Sequence, residues 1–99
     1  MIESFIEGRI RLRSPLLADK TLAGRFMEVI LTIEGVRAAE VNNRTCGLLL
    51  EYDTKRIPMQ KLLKAAPILE SVAELTKLDP DKRFSALEEA LDRLKEVLA

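Results

Sequence analysis

The sequence has no histidine and no tryptophan, and it has a single cysteine, Cys46, among its 99 residues. The absence of histidine removes the side chain that most often serves as a general base and as a metal ligand. One cysteine allows no disulfide within these residues, which is consistent with a reducing compartment. Aromatic residues make up only 4% of the chain, so stacking platforms for single-stranded nucleic acid are scarce.

An excess of charge of one sign is also lacking, because 16 basic residues balance 16 acidic ones. A formal net charge of zero produces no whole-molecule field that would attract nucleic acid or an anionic membrane. The N-terminal segment carries a charge every few residues and has no apolar region of the kind found in secretory signals. No apolar run approaches the roughly 20 residues that span a bilayer. We therefore expect a cytoplasmic protein with no nucleic-acid partner and no membrane insertion.

Apolar residues make up 47% of the chain, enough for the core of one domain of common size. Residues 4–13 alternate between apolar and charged side chains, which is the period of a half-buried strand. The side chains expected on its buried face are Ile6, Ile10 and Leu12. The side chains expected on its open face are Arg9, Arg11 and Arg13.

A helix, a hairpin and a second helix follow this strand. Asp19 is a favourable N-cap for the first helix, and Gly35 is expected to end it. Residues 36–42 and 47–53 are typical of two strands joined by a polar turn. The second helix is expected to begin near Pro58.

The resulting order, β-α-β-β-α, predicts an α+β protein with a ferredoxin-like antiparallel sheet. The fourth strand of that fold would follow the second helix. Residues 68–78 instead continue at helical spacing, so helix is expected to replace this strand. The free edge of the first strand would then be covered by the C-terminal tail, protected by charge, or paired with a second copy of the chain.

A last amphipathic helix is expected from about Pro80, and we divide the chain into a domain, 1–78, and a helical extension, 79–99. Its apolar residues are spaced three and four apart, as along a coiled-coil seam. They are Phe84, Leu87, Leu91, Leu94 and Leu98. This seam is expected to pack either on its own domain or on another chain, and we favour a homodimer.

Residues 35–53, with the sequence GVRAAEVNNRTCGLLLEYD, resemble the heavy-metal-associated domain of copper chaperones and metal-transporting P-type ATPases. The residues that fit the family pattern are Gly35, Val36, Val41, Asn42, Thr45, Tyr52 and Asp53. Ala39 replaces the usual valine, and Cys46 replaces a glycine in the turn. The resemblance, to a divergent branch of that superfamily, implies the ferredoxin-like fold and a role in metal transport or metal homeostasis.

The metal motif of the family, C-x-x-C at the start of the first helix, is missing here. Counting back from Gly35 without gaps places its two cysteines at Asp19 and Leu22, so the family's ligands are not carried over. Cys46 and Asp19 remain as candidate ligands for Cu(I) or Zn(II), although one thiolate and one carboxylate form an incomplete set. A dimer or a partner would have to complete it. Alternatively, Cys46 is an ordinary turn residue.

Other chemistry has few candidates. Met27 and Met59 are soft side chains that we expect to pack in the core. Nucleophilic catalysis requires a base beside a cysteine or serine, and histidine is absent. No glycine-rich phosphate loop is present either. We therefore predict a protein that is not an enzyme and that has no cofactor.

The remaining candidate for function is interaction with a protein. Arg9, Arg11 and Arg13 form either a docking site on the open sheet face or an ordinary salt-bridged surface facing Glu40 and Glu51. We expect docking to a protein partner, which the resemblance implies is a metal-transport ATPase. The alternatives are a structural or assembly module with no metal role, and a metal carrier that uses Cys46 across a dimer.

Overall fold

The computed structural model describes residues 2–99, which form a four-stranded antiparallel sheet and three α-helices. The strands are β1 (Ile2–Ile6), β2 (Arg9–Arg13), β3 (Val36–Asn42) and β4 (Gly47–Tyr52). The helices are α1 (Lys20–Ile30), α2 (Met59–Ala73) and α3 (Pro80–Leu98), with short 3-10 helices at Pro15–Ala18 and Glu74–Lys77. The strand order is β1-β2-β4-β3, a loose match to the expected ferredoxin-like fold. None of these described helices has both the length and the apolar character needed to cross a membrane.

The N-terminal region contains two strands, and the prediction of one strand over residues 4–13 is wrong. Gly8 has a φ of +91°, a backbone conformation that favours glycine, and it reverses the chain between β1 and β2. The reversal places Ile6 directly opposite Arg9, on the same face of the sheet. Ile6 is therefore 68% exposed, whereas Ile10 is buried as predicted.

This N-terminal hairpin supplies the fourth strand. The helical prediction for residues 68–78 is confirmed down to Lys77, because α2 continues through Pro67 and the 3-10 turn follows it. The strand that the fold lacks after α2 is replaced by β1, which lies beside β2 at the edge of the sheet. The edge of the strand with the three arginines is thus covered by β1, and none of the three expected solutions (the C-terminal tail, charge or a second copy) applies to it. The outer edge of the sheet on this side is β1.

Helix α1 begins where the sequence predicts and ends earlier. The Asp19 carboxylate accepts hydrogen bonds from the backbone N–H groups of Thr21 and Leu22, at 2.9 and 3.2 Å, and so caps the helix. The helix ends at Ile30, and Gly35 lies after a turn, where a φ of +101° directs the chain into β3. Gly35 is therefore the last turn residue before a strand, and not the residue that ends the helix.

One core joins the sheet to all three helices. The helix-facing rows of the sheet pair Ile10 with Leu50 and Leu12 with Leu48 across β2 and β4. In α3, four of the five predicted seam residues belong to this core and are 0–7% exposed. They are Leu87, Leu91, Leu94 and Leu98. Packing on its own domain is thus the alternative that holds for this part of the seam, whereas Phe84 is 46% exposed.

An ion pair fastens α3 to α1. The Arg25 guanidinium donates from Nε and Nη2 to the two carboxylate oxygens of Glu88, at 2.6 and 2.8 Å. Arg25 also pairs with Glu28 one turn away on α1. The hydrogen bonds from Arg25 lower the pKa of Glu88 below its ordinary value.

Two glycine substitutions should have opposite effects on stability. A Cβ at Gly35 would lie 2.9 Å from Arg56 Cβ and from Ile57 Cγ1, at a φ that disfavours side chains. Gly35→Ala should therefore lower the free energy of unfolding by about 2 kcal/mol or more. Gly24→Ala, in the middle of α1 with no atom within 4 Å of the new Cβ, should raise it by about 0.5–1 kcal/mol. Urea denaturation measures both, and equal effects would contradict the described turn at Gly35.

The Arg25–Glu88 pair should make the docking of α3 sensitive to acid. Because the folded pKa of Glu88 is lowered, its stabilising contribution is present above the ordinary pKa of 4.5 and is lost as pH falls through the folded value. Thermal unfolding from about pH 7 to about pH 3 should show a smaller loss of stability for Glu88→Gln than for the unmodified protein. Glu89→Gln, an exposed carboxylate on the same helix, is the matched control. Identical pH profiles for all three proteins would contradict the pair.

Candidate docking surface

The loop before α1 and the turn of the β3–β4 hairpin lie together at one end of the sheet, as the topology predicts. The Ser14 N–H donates to the Cys46 carbonyl at 3.0 Å, and Asn43 Nδ2 donates to the Leu17 carbonyl at 2.6 Å. These two bonds join the segment at residues 14–18 to the turn at residues 43–46. They fix the end of the sheet at which the family's metal motif would be found.

Cys46 ends the hairpin turn in a left-handed conformation, with a φ of +59°. It occupies the position where the family pattern has a glycine, which adopts such a φ without strain. Its thiol is partly buried and lies 3.9 Å from the Asn43 carbonyl oxygen. The thiol therefore lies against the hairpin turn, and the Cys46 residue is the last one of that turn.

The two positions that align with the family's cysteines have structural roles here. Asp19 is exposed, and its Oδ1 accepts the two capping hydrogen bonds of α1. Leu22 is 5% exposed and belongs to the core. Within residues 2–99, no group of three or more histidine, cysteine, aspartate or glutamate side chains could hold a metal ion. The assignment of Cys46 and Asp19 as ligands stays a prediction.

The three arginines of β2 lie on the open face of the sheet, away from the helices, as expected. Arg9 is opposite Glu51 on β4, and Arg11 is opposite Leu49, with Glu40 of β3 next in the same row. The sequence therefore predicted correctly that the three arginines share this face with Glu40 and Glu51, but it placed Ile6 on the other face. Their role in docking remains a prediction.

Arg13 contacts the hairpin turn as well as β1. It faces Gly47, which has no side chain, and its Nη1 donates to the Thr45 carbonyl at 3.0 Å. Its Nε lies 3.0 Å from the Glu3 carboxylate. The open face is thus continuous with the loop end, and Arg13 is the residue at their junction.

A concave surface of about 630 Å³ lies where the open face meets the loop end. Four basic and two acidic side chains are among those lining it. They are Arg11, Arg13, Lys20 and Arg44, with Glu3 and Glu40. We call this region the basic concavity. Asn42 shapes its wall, because its Oδ1 accepts from the backbone N–H groups of Arg44 and Thr45 at 3.0 and 3.3 Å.

Lys20 and Arg44 are surface residues that the sequence reasoning missed. Both lie outside the strand whose alternation identified Arg11 and Arg13. The signal that could have found them is the topology, because a ferredoxin-like sheet places the loop before the first helix and the turn of the following hairpin at the same end. Arg9, in contrast, is outside the lining of the basic concavity.

The basic concavity presents side chains that bind carboxylates and other anions. Guanidinium groups form bidentate hydrogen bonds with carboxylates, and lysine adds a mobile point charge. Across the described part of the chain, Arg11, Lys20 and Arg44 form no ion pair with an acidic side chain of their own protein. Three cations are therefore available to an acidic partner without the loss of an internal pair.

Comparison with known proteins extends the resemblance seen in residues 35–53 to the whole chain. The family model described as heavy metal associated domain 2 matches residues 1–99. Neither a curated protein nor a solved structure shows a significant match. The strand order, the β3–β4 hairpin and the single cysteine agree with a member of this superfamily that has no C-x-x-C motif. The chain belongs to the heavy metal associated domain 2 family.

Proposed function

We propose that this domain is a non-enzymatic docking module, which binds an acidic surface of a protein partner through the basic concavity. Family membership supports a metal-associated role, and a metal-transport ATPase is the partner class that we propose. We also propose a cytoplasmic location and no metal site at the positions of the family's cysteines. The observation that carries the proposal is the neighbourhood of Leu22: the family's loop end holds a core leucine and a helix cap, beside four basic side chains.

Electrostatics would contribute mainly the orientation and rate of this docking. Exposed ion pairs contribute about 0.2–1 kcal/mol each, so three or four of them do not make a tight complex alone. Complementary charge does accelerate association and excludes like-charged partners. Because the protein has no net charge, the basic concavity would act as a local feature rather than through a whole-molecule field.

Charge reversal in the basic concavity should weaken the interaction. Arg11→Glu combined with Arg44→Glu replaces attraction by repulsion at two pairs, which should reduce partner binding by about tenfold. The matched control is Lys64→Glu with Arg93→Glu, which changes net charge equally on exposed helix positions. The measurement is quantitative co-purification from the native cell at two salt concentrations, with identification of the retained protein.

Support requires that the retained protein functions in metal transport or homeostasis and that only the Arg11/Arg44 variant loses it. Equal retention by both variants would contradict docking through the basic concavity. A partner that depends on Arg11 and Arg44 but has no connection to metals would favour the alternative, a structural or assembly module. Thermal unfolding of each variant excludes misfolding as the cause.

Metal titration separates docking from metal carriage. Reduced protein titrated with Cu(I) and with Zn(II) against a competing chelator should bind neither ion tightly, because one thiolate and one carboxylate are an incomplete set. The variants to compare are Cys46→Ala and Asp19→Asn, of which the second removes the charge and keeps a capping side chain. Tight binding that disappears in Cys46→Ala would overturn the docking proposal in favour of a carrier using Cys46 across a dimer.

A further inference from the structure

Strand β1 carries large apolar side chains that are exposed to solvent. All five of its residues are exposed, and it forms the outer edge of the sheet. A bulge between Ile2 and Ser4 lets Ile2 and Phe5 face the helix side together, opposite Leu12 and Ile10. Ile2 and Phe5 are nevertheless 37% and 39% exposed. The helices of the same chain therefore leave Ile2 and Phe5 only partly covered.

Helix α2 continues this apolar surface. A groove of about 300 Å³ lies between β1 and the first half of α2, and it is lined only by apolar residues. Met59 and Leu63 contribute to it from the helix and are 49% and 66% exposed. Met59 was expected in the core, and the structure instead places it on this rim. We call the groove and the outer edge of β1 the edge groove.

The exposed apolar area of the edge groove is about half of what each partner contributes to a stable dimer interface. Large apolar side chains have areas of about 150–250 Å², so the exposed fractions of Ile2, Phe5, Met59 and Leu63 amount to roughly 400 Å². A stable interface buries roughly 800 Å² on each partner. In a dimer, the backbone and the remaining side chains of β1 would have to supply the other half. A contiguous apolar patch of this size is comparable to the largest patch on a typical monomer, and such patches are often functional.

We propose that the edge groove is covered by a second copy of this chain, in a two-fold dimer with the two β1 strands antiparallel. An edge strand offers the same row of donors and acceptors to its own copy, and two-fold symmetry uses the same patch twice. The lining of the groove beside β1 carries no charge, and a second copy brings the same apolar side chains. The two four-stranded sheets then form one continuous sheet. This dimer leaves both basic concavities on its open face, and it does not depend on the proposed function.

The bulge sets the strength of this association. It leaves only Ser4–Ile6 in regular pairing with β2, so few backbone hydrogen bonds across β1 can form in register. The apolar side chains must then supply most of the affinity. The dimer should consequently dissociate on dilution, rather than persist as an obligate assembly.

Light scattering after size exclusion tests the dimer. The unmodified protein should approach about 22 kDa, twice the chain mass of 11.2 kDa, as its concentration rises towards the millimolar range. Leu63→Glu, which places two carboxylates in the interface, should raise the dissociation constant by about tenfold or more. The matched control is Leu31→Glu, because Leu31 is 50% exposed at the end of α1 and outside the edge groove.

Hydrogen exchange locates the interface. In the unmodified protein, amide exchange over residues 3–6 should slow as concentration rises, and in Leu63→Glu it should not. A mass that stays at 11.2 kDa at millimolar concentration overturns the proposal. So does a dimer that Leu63→Glu leaves intact, or one whose β1 amides exchange equally fast at low and high concentration. In the first case the edge groove would be left for a different occupant.

Discussion

The register of β2 against β4 is the constraint on which the rest of this structure depends. Side chains alternate across a strand, so a shift by one residue would exchange every buried and exposed position. The observed register places Ile10 beside Leu50 on the helix side and Arg11 beside Leu49 on the open side. Burial of the apolar rows under the helices thus determines that the arginines share one solvent-facing surface. The surface proposed for docking is, in this sense, a consequence of the core.

Local sequence predicted each helix and the β3–β4 hairpin, because period and capping chemistry are local signals. The first hairpin was missed for an equally local reason. The two-residue turn at Gly8 places Ile6 on the open face of the sheet, and the apolar character of Ile6 gives no sign of this. The sequence did not determine whether the leucines of α3 pack on their own domain or on another chain, because apolar residues spaced three and four apart fit any apolar partner. Only the packed core decides it. Likewise, Lys20 and Arg44 line the same concavity as Arg11 because of the tertiary fold, which no periodicity encodes.

The family's metal loop keeps its scaffold here while its ligand positions have become structural. The hydrogen bond from Ser14 to Cys46 still holds the loop and the turn together. A carboxylate at position 19 satisfies the exposed N–H groups at the start of α1, and a leucine at position 22 adds apolar burial. Both residues stabilise the end of the sheet at which the family's metal motif would be found. Loss of the cysteines is therefore compatible with an ordered loop and with a surface that can be recognised.

The N-terminal hairpin also explains why the two proposed surfaces are separate. By filling the place of the missing fourth strand, β1 protects the edge of β2 and carries Glu3 to Arg13 at the boundary of the basic concavity. The same addition moves the unpaired edge outward, next to the apolar rim of α2. Charged side chains are concentrated on the open face, and exposed apolar side chains are concentrated at the edge. Two different partners could therefore bind at these two surfaces without competing. Because a two-fold dimer through the edge would present two basic concavities on one face, it would also allow bivalent engagement of an acidic partner.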